Sequence, residues 1–262
     1  MAGSEERAAL VTGGTTGLGF AIAARLLDGG AGVVITGRDE ALGQEAQDRL
    51  RAGRDGRAWF VPADAADEAA VEASVAATVE RLGGLDILVN NAGVGVAARL
   101  VDTPTDAFDH LMAVNLRGYF LYAKAAYPHL AARRGCIVHV ASDAGVMGEP
   151  GIGAYSVSKA AVIMLSKMLA AEGGPDGVRS NCIAPGDIWP GMRHFGSPGQ
   201  DDPAGNDERP EDWRTPPIGR IGQAEDVAGA AAYLAGDTAA FVTGAVLLVD
   251  GGMRSAYPPV GS

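Results

Sequence analysis

The stretch Thr12-Gly13-Gly14-Thr15-Thr16-Gly17-Leu18-Gly19 joins the apolar run Ala8-Ala9-Leu10-Val11 to a helix-patterned segment that opens at Leu18. Glycine admits backbone angles and close approaches that a Cβ forbids. A turn of this kind at the start of a helix presents free N–H groups at the positive end of the helix dipole, a combination that suits a pyrophosphate. A glycine cluster alone says little. Its place, after an N-terminal strand and within a strand–helix–strand unit, gives it meaning.

Outward from that turn, short apolar runs alternate with longer helical ones. Strands are expected at 8–12, 32–36, 58–62, 85–90, 136–141, 178–184 and 245–249. Helices are expected at 18–28, 40–51, 68–81, along a long stretch 105–133, and at 154–172 and 225–235. The strands are rich in β-branched residues and lack in–out alternation, so they are buried on both faces. The alternation implies right-handed crossovers and a parallel sheet. The expected fold is α/β: one doubly wound, Rossmann-like domain with a seven-stranded parallel sheet flanked by helices.

The chain has 262 residues, 47% of them hydrophobic, enough to bury a large core. Its 32 acidic and 21 basic side chains give a net charge of −11, which disfavours nucleic acid as a partner. The two cysteines, Cys136 and Cys182, lie in apolar runs and read as free, buried thiols, with no spacing that suggests a metal site. The N-terminus lacks the basic start and apolar block of a signal peptide. No apolar stretch reaches the roughly 18 residues that would suggest a membrane span. A cytoplasmic location is expected, with no membrane partner.

Tyr155 and Lys159 stand at i and i+4 on an expected helix and share one face. A nearby ammonium favours the phenolate, and a positively charged ring docked beside it favours it further. Such a tyrosine can exchange a proton with a carbonyl or alcohol oxygen. Ser142 follows the fifth strand, where a parallel sheet opens onto its ligand crevice, and can hold the same oxygen.

The glycine spacing G-x-x-x-G-x-G from Gly13, the run Asn90-Asn91-Ala92-Gly93 and Tyr155-x-x-x-Lys159 occur in that order. Together they resemble the single-domain form of the short-chain dehydrogenase/reductase family, over nearly the whole chain. The resemblance implies an oxidoreductase that moves a hydride between a nicotinamide cofactor and a ketone or secondary alcohol. It implies a catalytic set of Asn115, Ser142, Tyr155 and Lys159. Asn115 would open its helix and hold a water that passes protons to Lys159, which also binds the nicotinamide ribose. Asp64 and Ala65 would bracket the adenine. Asn91, Ala92 and Gly93 would line the adenosine ribose side, and Pro185, Gly186 and Ile188 the nicotinamide. The family's threonine four residues after that last glycine is replaced by Pro190, which has neither hydroxyl nor N–H.

NAD-using relatives usually carry an acid where Gly37 stands. Here Arg38 follows instead, and its guanidinium can fork onto a 2′-phosphate. NADP(H) is therefore favoured over NAD(H). Thr16, where a second basic residue is common, and the neighbouring Asp39 argue the other way.

Residues 187–217 break the strand–helix rhythm. Six of the chain's 14 prolines fall between Pro190 and Pro217, and the segment reads as a substrate loop or lid that buries Trp189, Met192, Phe195 and Trp213. His194 in this loop is a candidate substrate contact. His110, His129 and His139 read as structural. Met147, Glu149, Trp189 and Met192 suggest a pocket for an apolar or cyclic small molecule with a polar edge. Rival readings are an NAD-dependent dehydrogenase of a cyclic alcohol or diol, a catalytically silent nucleotide-binding regulator, and an epimerase or dehydratase. The family commonly forms tetramers, and 123–132 and 160–171 are small and apolar enough to build a homotetramer.

Overall fold

The computed structural model describes residues 6–54, 57–189, 192, 195–196 and 215–255, with Phe195 and Gly196 described by their backbone. Seven strands form one sheet: β1 (Ala8–Val11), β2 (Gly32–Gly37), β3 (Ala58–Pro62), β4 (Ile87–Asn90), β5 (Cys136–Val140), β6 (Arg179–Pro185) and β7 (Val246–Val249). Their spatial order is β7-β6-β5-β4-β1-β2-β3, all parallel. The helices are α1 (Gly17–Asp28), α2 (Glu40–Arg51), α3 (Glu68–Leu82), α4 (Thr105–Met112), α5 (Gly118–Arg133), α6 (Gly153–Gly173) and α7 (Ala224–Ala235). This is the doubly wound architecture that the alternation implied.

The sheet is buried on both faces because alternate residues of each strand feed different cores. Ala9 and Val11 of β1 pack with Ile22, Leu26, Val227 and Leu234, under α1 and α7. Leu10 between them packs with Val71, Leu121, Tyr122 and Leu130, under α3 and α5. Each fully buried Leu or Ile contributes about 1.5–3 kcal/mol, so the three layers are held along the whole sheet.

Strand order reverses between β1 and β4. Leu10 faces Val34 on one side and Leu88 on the other. The crossovers leave on opposite faces here, so a crevice opens at the carboxyl ends of β1 and β4. The glycine turn and the Asn90–Gly93 run meet there.

The helical stretch 105–133 is divided by a π-helical turn, Ala113–Arg117, with Asn115 at its centre, where the family resemblance implied a local opening of the helix. Asn is a poor helix-interior residue, and such bulges are frequent at functional sites. One expectation is overturned: the segment Gly153–Asp176 is long and apolar enough to cross a membrane by length and composition. It nevertheless packs on β6 and buries Tyr155, Ser158 and Lys159, as a core helix does.

The ends of the 187–217 excursion are pinned. Ile188–Trp189 pairs in parallel with Gly222–Gln223, and Gly95–Val96 pairs with Phe195–Gly196. Met192 is exposed. Pro190, His194 and Trp213 lie outside the described residues, as does most of the expected lid.

Candidate active site

The two loops at the switch point are tied together by side chains that turn inward. Thr12 Oγ1 accepts hydrogen bonds from the backbone N–H of Asn91 at 2.9 Å and of Ala92 at 3.0 Å. Asn91 Nδ2 donates to the carbonyl oxygens of Thr12 and Gly13, each at 3.0 Å. Asn91 and Ala92 thereby brace the glycine turn.

Three glycines of that turn are required for different reasons. Gly13 has φ +61°, and a Cβ on it would lie 2.8 Å from Ala92 Cα. A Cβ on Gly19 would lie 2.2 Å from the Gly13 carbonyl oxygen. Gly17 has open space around it but φ +54°, a conformation other residues adopt only with strain. Helix α1 starts at Gly17 with no side-chain cap from Thr16 and no acid in its first turn. By contrast, Asp39 and Asp67 cap α2 and α3. The uncapped N–H groups beside Thr15, Thr16, Gly17, Leu18 and Gly19 suit an anionic phosphate.

At the end of β2, a Cβ on Gly37 would lie 2.7 Å from Thr15 Cγ2, so an acidic side chain there requires the Thr15 side chain to move. Arg38 is exposed and makes no hydrogen bond or ion pair among the described residues. Asp39, which argued against a phosphate, has its Oδ1 engaged by the N–H of Leu42 at 3.0 Å. Beyond β3, Asp64 Oδ1 accepts from the N–H of Ala66 at 2.9 Å, and Ala65 is buried against Gly118 of α5. Beyond β6, the Gly186 N–H donates to the Val249 carbonyl at 3.1 Å, while Ile188 is buried against Gly222.

Asn115, Ser142, Tyr155 and Lys159 converge beside this crevice, and all four are buried. Asn115 exchanges two hydrogen bonds with the backbone of Val94, each at 2.8 Å, and donates to Ser158 Oγ at 3.2 Å. Ser158 in turn donates to the Tyr155 carbonyl at 2.7 Å. The π-turn therefore anchors α6 at the tyrosine. Lys159 Nζ donates to the Val140 carbonyl at 2.9 Å and to Tyr119 Oη at 3.3 Å. It lies 5.6 Å from the centre of the Tyr155 ring. Ser142 hydrogen-bonds the Tyr155 phenol.

The electrostatics differ from the sequence expectation in one respect. Burial pushes the Tyr155 pKa well above the ordinary tyrosine value, and only the Ser142 hydrogen bond opposes it. Burial likewise lowers Lys159, to about 8. Desolvation outweighs the ammonium's attraction because Lys159 Nζ is turned toward Val140 and Tyr119. In the free chain the phenol therefore keeps its proton. His139, stacked on Tyr119 with ring centres 5.9 Å apart, is pushed by burial to about 3 and stays neutral, which suits a structural role.

Several neighbours carried no sequence signal. Tyr119 and Ser158 sit in helical runs where nothing distinguishes them from core residues. Asp143, next to Ser142, and Arg254, near the C-terminus, pair across 111 residues of chain. Glu149 pairs with Arg254 at 2.9 Å. A separate cavity of about 470 Å³ is lined by Trp189, Thr215, Gly219, Arg220, Ile221 and Gln223, and includes none of the four converging residues.

The family model described as enoyl-(acyl carrier protein) reductase matches residues 13–254. The chain belongs to the short-chain dehydrogenase/reductase family. It is similar to L-fucose dehydrogenase of Mus musculus, with 38% identity over 249 residues, 95% of this chain and 88% of that protein. It is similar also to 2-(R)-hydroxypropyl-CoM dehydrogenase of Xanthobacter autotrophicus, with 40% identity over 250 residues, 94% of this chain and 97% of that protein. Among solved structures, 3-ketoacyl-(acyl-carrier-protein) reductase from Brucella melitensis, complexed with NADH, superposes with a TM-score of 0.83 at 32% identity, covering 97% of this chain and 100% of that one. Family membership makes the chain a nicotinamide-dependent oxidoreductase acting on CH–OH and C=O groups, and the open helix start and braced glycine turn fit such a cofactor.

Proposed function

We propose that this enzyme interconverts a ketone and a secondary alcohol, with Tyr155 carrying the proton. The observation that supports this most is the meeting of Tyr155, Ser142, Lys159 and Asn115 beside the switch-point crevice. The nicotinamide, when bound, supplies or accepts the hydride. Ser142 orients the substrate oxygen toward the Tyr155 phenol, and the phenol donates its proton as the alcohol forms. Lys159 holds a positive charge behind the ring and binds the nicotinamide ribose. Asn115 keeps the π-turn open for a proton-relaying water. A protonated Tyr155 in the free chain is already the form that ketone reduction requires. A silent nucleotide-binding regulator would have no use for all four groups.

NADP(H) is the proposed cofactor, supported by Arg38, exposed and unpaired among the described residues, and by the absence of an acid at Gly37. NAD(H) is the second reading, favoured by the NADH in the structural relative. The proposed substrate is a small carbonyl or alcohol with an apolar or cyclic body. A homotetramer is proposed from the large apolar side chains exposed on neighbouring helices, Phe120 of α5 with Met164 and Met168 of α6. Cytoplasmic residence is supported by the acidic composition and two buried free thiols. The test is cofactor oxidation against a panel of aliphatic, cyclic and aryl ketones, with NADPH and NADH each supplied. Net oxidation with at least one ketone is expected, and none across the panel contradicts the reading. Oxidation without net consumption would indicate an epimerase instead.

A further inference from the structure

Beside the proton-transfer site lies a charged cluster drawn from three segments: Asp143 after β5, Glu149 in the loop before α6, and Arg254 in the turn after β7. Arg254 Nε donates to Asp143 Oδ2 at 2.8 Å, and Arg254 Nη2 donates to Glu149 Oε2 at 2.9 Å. The turn bearing Arg254 is itself fixed, because the Asp250 carboxylate accepts from the N–H of Gly252 at 2.9 Å and of Arg254 at 2.8 Å. The Arg254 and Asp143 side chains are only 20% and 11% exposed, so solvent screens this pair weakly. The cluster closes over Gly186, where a Cβ would lie 2.9 Å from Asp250 Cβ and 3.6 Å from Asp143 Oδ2.

Asp143 also touches the catalytic set. Its Oδ1 accepts from Ser142 Oγ at 3.2 Å. Ser142 has one O–H to give, and the Tyr155 phenol is its other neighbour. An unpaired carboxylate is the stronger acceptor and would capture that proton. Its charge, and that of Glu149, would also oppose a phenolate.

We propose that Arg254 is a positioning residue for the Ser142–Tyr155 pair: by pairing with Asp143 Oδ2 and Glu149 it offsets both carboxylate charges, weakens the hold of Asp143 Oδ1 on the Ser142 hydroxyl and shields the phenol from their charge. The inference rests on the reading of Tyr155 as proton carrier. The groups facing Tyr155 are Lys159 on its own helix, Tyr119 of α5 beside Lys159 Nζ, Ser142 and Asp143 after β5, Glu149 before α6, and Arg254 behind the two carboxylates. Val94, Leu111 and Val114, which pack against the ring from the other elements, carry no charge. Burial raises the phenol's pKa most, Ser142 lowers it, and Asp143 and Glu149 raise it further, which is the direction the proposal requires.

The test reads the phenol directly and needs no substrate. Protein labelled with 13C at the tyrosine ζ-carbon is titrated by NMR in the presence of NADP+, with the Tyr155 resonance identified by its loss in Tyr155→Phe. Arg254→Met is expected to move the titration midpoint up by about half a pH unit or more, and Asp143→Asn to move it down by a similar amount. The double variant is expected to fall between the two. A purely structural role would leave the midpoint unmoved or move it the same way in both variants, and either result overturns the inference. Should Arg254→Met fail to fold, Arg254→Gln is read in its place: an upward shift supports the proposal and no shift overturns it. Full turnover by Tyr155→Phe would remove the underlying reading, whereas an inactive Tyr155→Phe with unmoved midpoints would remove this inference only.

Discussion

Lys159 Nζ lies 5.6 Å from the centre of the Tyr155 ring, and neither residue is more than 7% exposed. A charge is thus held inside the protein next to a phenol, at a cost to the fold. Burial lowers the Lys159 pKa from 10.5 to about 8, so the folded state disfavours the ammonium. That penalty is fully present below about pH 8, shrinks as pH rises toward 10.5, and is gone above it. Lys159→Met is therefore expected to stabilise the cofactor-free protein at pH 7 by about 1–3 kcal/mol while abolishing turnover. Val140 would not lose its only partner, since Tyr119 Oη still donates to its carbonyl at 3.0 Å. Denaturant unfolding from pH 7 to 10.5 measures this, and a gain that grows with pH contradicts it.

Arg38 is the described side chain whose charge favours a 2′-phosphate. Arg38→Asp is expected to weaken NADPH binding by about 10-fold or more while changing NADH binding little, because only the former loses a charge-assisted fork. Fluorescence titration with each reduced cofactor measures the two affinities. Equal losses for both cofactors in Arg38→Asp would reject the assignment.

Thr12 joins the glycine turn to the loop after β4 through two N–H groups held by one hydroxyl. Thr12→Val keeps the shape and removes the acceptor, leaving the partly buried N–H groups of Asn91 and Ala92 without that partner. A loss of about 1–3 kcal/mol is expected. Cofactor affinity should fall with it, because the turn loses its brace. Unfolding and binding measured on the same variant test the link, and a variant as stable as wild type contradicts it.

Gly19→Ala places a Cβ 2.2 Å from the Gly13 carbonyl oxygen, so the turn must move. Gly17→Ala meets no atom but must adopt φ +54°. The first is expected to lose cofactor binding altogether and the second to weaken it less, as read by calorimetric titration.

What the sequence makes legible is whatever depends on local pattern. The seven strands announce themselves as β-branched runs such as Gly32–Gly37, and the crevice follows from their alternation with helices. Tyr155 and Lys159 are legible because four residues return a helix to the same face. The π-turn is legible only through the family resemblance at Asn115, because Ala113–Arg117 keeps the helical apolar pattern. Arg254 is invisible because its partners Asp143 and Glu149 lie more than a hundred residues away. The raised pKa of Tyr155 is invisible too, since proximity to Lys159 is local whereas burial is a property of the whole fold.

The central claim is that the Tyr155 phenol passes the proton while the rest of the site binds cofactor and substrate. The most direct measurement compares ketone reduction and NADPH binding in wild type and Tyr155→Phe. The account predicts a fall in kcat of about 10²–10⁴-fold with cofactor affinity nearly unchanged. A Phe variant that reduces ketone at close to the wild-type rate would contradict it.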